Sequence, residues 1–153
     1  KAEKINFSDL KRSKNFILVE KTFRNYMTYF AHDHRIKVLH GRIENDEITT
    51  VGVEGVLLFG PYIDIFAGKY EITIKGNAEI FNHDVIEILF TINHGALVLI
   101  QHQLNNFVDD FSAKFILEVD QAYSYFEVVI KVGGNNNFRL KSIDINLLEL
   151  YIN

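Results

Sequence analysis

From about residue 35 onward, apolar side chains fall at every second position, the repeat of a strand that buries one face. Tyr70, Ile72 and Ile74 alternate with Lys69, Glu71, Thr73 and Lys75, and Ile86, Ile88, Phe90 and Ile92 with Glu87 and Thr91. Phe111, Ala113, Phe115, Leu117 and Val119 are set against Ser112, Lys114 and Glu118. Phe126, Val128, Ile130 and Val132 are set against Tyr125, Glu127 and Lys131. Each run predicts a strand with an apolar inner row. Turn signals divide the runs at Asn45-Asp46, Gly60-Pro61, Ala67-Gly68, Gly76-Asn77, Asn93-His94-Gly95 and Gly133-Gly134-Asn135-Asn136-Asn137. That spacing is expected of a sandwich or barrel rather than of βαβ units. In the last run the apolar phase slips between Leu140 and Ile143 and again between Leu147 and Leu148, which predicts two β-bulges. Val56-Leu57-Leu58-Phe59 and Leu97-Val98-Leu99-Ile100 are apolar on both faces and predict central strands covered on both sides.

The opening segment has a different period. Between Asn15 and Ala31, Phe16, Val19, Phe23, Tyr26 and Phe30 are spaced by threes and fours, which predicts a helix, with Glu20 and Arg24 as a favourable i,i+4 pair. Phe16 to Val19 also fits a short strand. The expected organisation is a partly helical extension over 1–35 and one antiparallel β-sandwich, a jelly roll, over 36–153. A chain of 153 residues is one domain long. It begins at Lys1 rather than Met, so it is read as processed or excised from something longer.

Composition narrows the partners. The 13 Phe and 7 Tyr suit a β core, and a net charge of −4 offers no basic face to a phosphate backbone, so nucleic acid is not expected. The apolar runs are too short to span a bilayer. With no Cys, disulfides and thiolate chemistry are excluded and the core alone must hold the fold; the compartment stays open, since this is compatible with a reducing cytosol without requiring one, with a cytoplasmic location favoured.

One stretch carries a resemblance. Gly55-Val56-Leu57-Leu58-Phe59-Gly60-Pro61-Tyr62-Ile63-Asp64-Ile65-Phe66-Ala67-Gly68-Lys69-Tyr70-Glu71-Ile72 resembles accessory β-sandwich domains of bacterial glycosyltransferases and other polysaccharide-processing proteins. The preceding His40-Gly41-Arg42 and the later Phe126 to Gly133, leading into Phe138-Arg139-Leu140, extend the similarity over most of residues 38 to 146. The resemblance implies a galactose-binding-like jelly roll acting as a non-catalytic carbohydrate-binding module. Its implied partners are an oligosaccharide or polysaccharide and a catalytic domain of the same polypeptide. The alternative is a structural or protein-interaction domain used for docking or self-association.

Sugar recognition needs an aromatic face and planar polar groups, which loops usually supply. The candidates are His40 and Arg42 before the Asn45-Asp46 turn, His83 and Asp84 at a strand start, Tyr123 and Tyr125 around Ser124, and Asn135, Asn136, Asn137 and Arg139 after the double glycine. Each also reads as surface polarity or turn chemistry. His32-Asp33-His34 places two imidazoles at i,i+2 but lacks further ligands at matching spacing, and no metal or other cofactor is expected there. Asp109-Asp110 and Glu44, Asp46 and Glu47 offer oxygens for a structural calcium without the twelve-residue loop pattern. No nucleophile elbow, phosphate loop or HExxH occurs, and Glu54, Asp64 and Asp84 read as strand carboxylates, so no catalytic residues are expected.

Overall fold

A computed structural model describes residues 3–6, 26–80, 84–104 and 110–152. The strands are β1 (Glu3–Asn6), β2 (Tyr26–Phe30), β3 (Lys37–Val38), β4 (Gly41–Glu44), β5 (Glu47–Thr50), β6 (Gly55–Ile65), β7 (Gly68–Ile80), β8 (Ile86–Ile92), β9 (Leu97–Leu104), β10 (Phe111–Val119), β11 (Tyr123–Val132) and β12 (Asn136–Ile152). All pair antiparallel, in two sheets. The five-stranded sheet runs β3-β6-β11-β8-β9. In the seven-stranded sheet, β10-β7-β12-β5-β4 is the main path, and β1 and β2 pair with β12 as well. The length of β12 explains this: β7 lies along one edge, while β5, β2 and β1 share the other in turn, at Arg139–Leu140, Ser142–Asn146 and Glu149–Ile152.

The inner rows are those the alternation marks. Tyr70, Ile72 and Ile74 face Ile86, Ile88, Phe90 and Ile92, Phe126, Val128 and Ile130 across one core, closed by Phe115, Leu117 and Phe138. Every one of these side chains is buried. Both expected bulges are present, as register shifts between Leu140 and Ser142 and between Leu147 and Glu149.

Four expectations are corrected. The predicted helix ends in strand β2, because the edge of β12 accepts Tyr26–Phe30 and buries Tyr29; residues 15–25, with Glu20 and Arg24, lie outside those described. Gly76-Asn77 is no turn. A side chain at Gly76 would strike the Arg139 carbonyl, so glycine lets β7 pass close beneath β12 beside its first bulge. Gly60-Pro61, a cis bond, lies inside one unbroken strand, β6. Because β3 pairs only with Leu58 and Phe59, the far edge of β6 is not paired with β3 at Pro61, and the missing N–H interrupts no ladder there. Leu97–Ile100 is not a doubly covered central strand: β9 is the edge of its sheet, with Leu97 and Val98 about half exposed.

Candidate binding site

Strand β11 crosses the middle of the five-stranded sheet. Phe126 and Val128 are in the core, so Glu127 between them points to the outer face. In register, Glu127 lies between Pro61 of β6 and Thr91 of β8, and the next outer row is Phe59, Val129, Leu89 and Gln101. An outer row of a two-layer sandwich ordinarily meets water. Here Glu127 is 5% exposed and Thr91 3%.

Three neighbouring rings share an unusual backbone. Tyr62, His94 and Tyr125 have φ of 61°, 57° and 57°, a left-handed conformation that costs a bulky residue about 1–3 kcal/mol. The sequence compels it locally. Asn93-His94-Gly95 turns β8 into β9, and the Asn93 amide donates to the Ser124 carbonyl at 3.1 Å, fastening that turn to the start of β11. Register shifts on both sides of Phe126 then re-aim Tyr125. The His94 and Tyr125 rings stack with centroids 3.7 Å apart, Tyr62 lies 6.2 Å from His94, and Phe59 meets Tyr62 edge-on at 5.8 Å.

The electrostatics couple these groups to one another. Burial pushes the Glu127 carboxyl above its ordinary range, against a smaller opposing pull from His94. Burial also raises the Tyr62 phenol, with the Glu127 charge adding to it. The Thr91 hydroxyl beside Glu127 is buried without a hydrogen-bond partner among the described residues. Lys131, further along the same face, is occupied by Glu87 at 4.0 Å. A carboxylate covered in this way destabilises the fold when charged. The raised value gives the sign: the favourable contribution of Glu127 is complete below the ordinary glutamate range and lost as pH rises through the folded value. We therefore expect Glu127→Gln to raise the melting temperature at neutral pH by a few degrees, on the order of 1 kcal/mol, with the gain vanishing in acid. Thermal melts at both pH values test this, and an unchanged or lower melting temperature at neutral pH would show that the carboxylate is solvated.

The residues expected from sequence divide among five places. Tyr125 belongs to the ring cluster. Tyr123 closes the turn before β11, its hydroxyl accepting from Gln121 at 2.9 Å and donating to Asp120 at 3.3 Å. Asp84 and Asn136 come together at the opposite end of the sandwich: the Asp84 carboxylate accepts from the Asn135 amide at 2.8 Å, the Asn136 side chain at 2.9 Å and the Val85 amide at 2.9 Å. Their geometry is that of a brace for the Gly133–Asn136 turn. His40 lies against Gly55, where a Cβ would strike its ring. Arg42 and Arg139 flank Thr49 on the outer face of the seven-stranded sheet. There Arg139 lines a polar depression of about 280 Å³ with Thr49, Asn77, Glu79 and Asn137, while Arg42 is paired with Glu44 at 2.8 Å. His83 lies outside the described residues.

The metal candidates are otherwise engaged. His32 contacts Asp46, Asp33 chelates Arg35, and Glu44 holds Arg42. Among the described residues no three His, Asp or Glu groups converge with metal spacing, and no helix is long and apolar enough to cross a membrane. Asp109 lies outside the described residues.

Comparison with known proteins places the architecture. No protein-family model and no curated protein matches the chain. Among solved structures, the fold is similar to the C-terminal CBM6 domain of the laminarinase LamC from Zobellia galactanivorans, at 13% identity and TM-score 0.54, covering 80% of this chain and 99% of that one. It is equally similar to the CBM35 domain of Abf62 from Cellvibrio japonicus, at 12% identity and TM-score 0.55, covering 84% and 98%. The domain Xyl-CBM35, in complex with a glucuronic acid-containing disaccharide, matches at 12% identity and TM-score 0.55, covering 83% and 98%. At these identities the likeness is one of fold, and the expected jelly-roll sandwich is the fold the chain has.

Proposed function

We propose that this domain is a non-catalytic carbohydrate-binding module that takes an oligosaccharide, or a stretch of polysaccharide, on the outer face of its five-stranded sheet. The carrying observation is the group of Tyr62, His94 and Tyr125, held by left-handed backbone at the end of the face where Glu127 and Thr91 lie buried. A pyranose stacks its C–H face on an aromatic ring while carboxylate, hydroxyl and amide groups meet its hydroxyls. Tyr125, 45% exposed, offers that ring face, and Gln101 of β9 stands exposed further along the same outer face, in the row of Val129. Strain gathered at one place on a scaffold is a mark of a functional site. The sandwich it shares with domains named as carbohydrate-binding modules is consistent with this use.

A glycan array followed by calorimetry tests the reading. Tyr125→Ala should weaken binding at least about ten-fold, the loss of a stacking contact of 1–3 kcal/mol being the usual cost of removing such a ring. Arg139→Ala, in the depression on the other sheet, should leave binding unchanged. The reverse pattern would move the site to Arg42 and Arg139, and silence across every glycan class would remove the proposal. We further propose that the module serves a larger bacterial polysaccharide-assembly or glycosyltransferase polypeptide, which the neighbouring sequence of the intact protein checks. A protein-docking role is favoured by one observation, the exposed Leu97 and Val98 on edge strand β9. Light scattering decides it: a monomer at all concentrations removes the self-association form.

A further inference from the structure

We infer that the glycan recognised at this face carries a protonated amino group, an amino sugar whose ammonium seats against Glu127 beside the rings of Tyr62 and Tyr125. The inference rests on the proposed function and names its ligand class. Three features of the site converge on a cation. The first is Glu127, a residue 5% exposed on the outer face, which among the described residues has no lysine or arginine partner and only the smaller pull of His94. An anion so placed is stabilised by a further positive charge. The second is the pair of tyrosines near it in the ladder, Tyr62 next to its partner Pro61 and Tyr125 two residues before it, whose ring faces attract a cation within about 6 Å. The third is the Thr91 hydroxyl, buried and unpartnered directly opposite Glu127 in the ladder, an acceptor for a further ammonium proton.

The alternatives fit less well. A neutral sugar would satisfy Thr91 but leave the carboxylate uncompensated. A uronic acid would bring a second negative charge against it. Lys131 lies four residues along β11, about 13 Å away at the rise of a strand, and its own partner is Glu87. His94, the one charge that acts on Glu127 within the site, is stacked on Tyr125 and serves to fix that ring. The cluster thus offers acceptors and aromatic faces to a cation, with His94 held against Tyr125 rather than paired to the carboxylate. Because the rings and the carboxylate lie in neighbouring positions of the ladder, one bound residue can meet both.

Calorimetry of the whole chain with defined probes separates the outcomes. At mildly acidic pH, where the sugar amine is protonated, a β-1,4-linked glucosamine tetramer should bind at least about ten-fold more tightly than the N-acetylglucosamine tetramer. A glucuronate-bearing oligosaccharide should bind most weakly. The preference for the amine should fall with added salt and disappear in Glu127→Gln, a near-isosteric variant whose folding is checked by its melting temperature. Equal affinity for the two tetramers, or a preference that survives Glu127→Gln, overturns the inference. If the N-acetylated tetramer binds in a Tyr125-dependent way without any preference for the amine, the ligand class is wrong and the proposed function stands. If no glycan binds at all, both fall.

Discussion

Asp84→Ala is expected to cost the domain about 3 kcal/mol and to loosen the end of the sandwich opposite the ring cluster. One carboxylate there accepts three hydrogen bonds, from the Val85 amide, the Asn135 amide and the Asn136 side chain. Bonds to a charged acceptor are each worth roughly 1.5–3 kcal/mol, but they share one group and do not add in full. Asn136 is 5% exposed, so its amide cannot easily turn to water instead. The neighbouring turn repeats the constraint, since a Cβ on Gly133 would strike the same carboxylate. Desolvation alone would raise the Asp84 carboxyl, but the donated bonds outweigh it and hold it below its ordinary range. A depressed folded value means that the contribution is present in full above the ordinary aspartate range and lost as pH falls through the folded value. Chemical denaturation across pH measures this. Asp84→Asn should keep part of the stability and show a flatter acid limb; an Asp84→Ala variant within about 0.5 kcal/mol of the parent would show that the brace carries no load.

Asp84 and Asn136 illustrate what residue types alone withhold. An aspartate and an asparagine in glycine-rich loops fit sugar hydroxyls and fit turn chemistry equally well, and only the fold shows that they spend their capacity on each other. Tyr123 repeats the lesson with Gln121 and Asp120. The inner rows of the core were legible because period-two alternation is a local property with a single geometric outcome. The bulges of β12 were legible for the same reason, as slips of phase. Gly76 was misread as a turn because a glycine that admits a neighbouring backbone looks the same as one that bends its own.

The ring cluster was legible only in pieces. Tyr125 and the Asn93-His94-Gly95 turn are visible in the sequence, but their meeting depends on a hydrogen bond between residues 93 and 124 and on bulges in β11. Tyr62 lies inside the segment that carries the family resemblance and is not among the candidate residues. Glu127 was the least accessible of all. Alternation places it on the outer face, correctly, and outer-face carboxylates are ordinarily solvated; nothing local announces that this one is 5% exposed. The signal that was present is the run of turn residues at both ends of β11 and β8, where irregular backbone can re-aim a side chain.

The second large effect belongs to the core that holds this face in place. Phe90 is fully buried, meeting Phe115 edge-on at 5.4 Å and Phe126 at 6.2 Å, and so joins both sheets through their rings. Phe90→Ala should cost about 4 kcal/mol, because the cavity left between two sheets cannot collapse without moving a strand. Phe90→Leu keeps most of the volume and should cost less than about 2 kcal/mol. The two variants also separate packing from binding. Leu89 and Thr91, the neighbours of Phe90 on β8, point the opposite way, into the floor of the candidate site. A strand held in register by leucine should present that floor unchanged, so Phe90→Leu should bind glycan as the parent does while melting earlier. Urea denaturation and calorimetry on the same preparations measure both quantities. A loss below about 1 kcal/mol for Phe90→Ala would mean that the sheets do not close on this ring. Lost binding in a folded Phe90→Leu protein would mean that the site depends on β8 more closely than strand alternation allows.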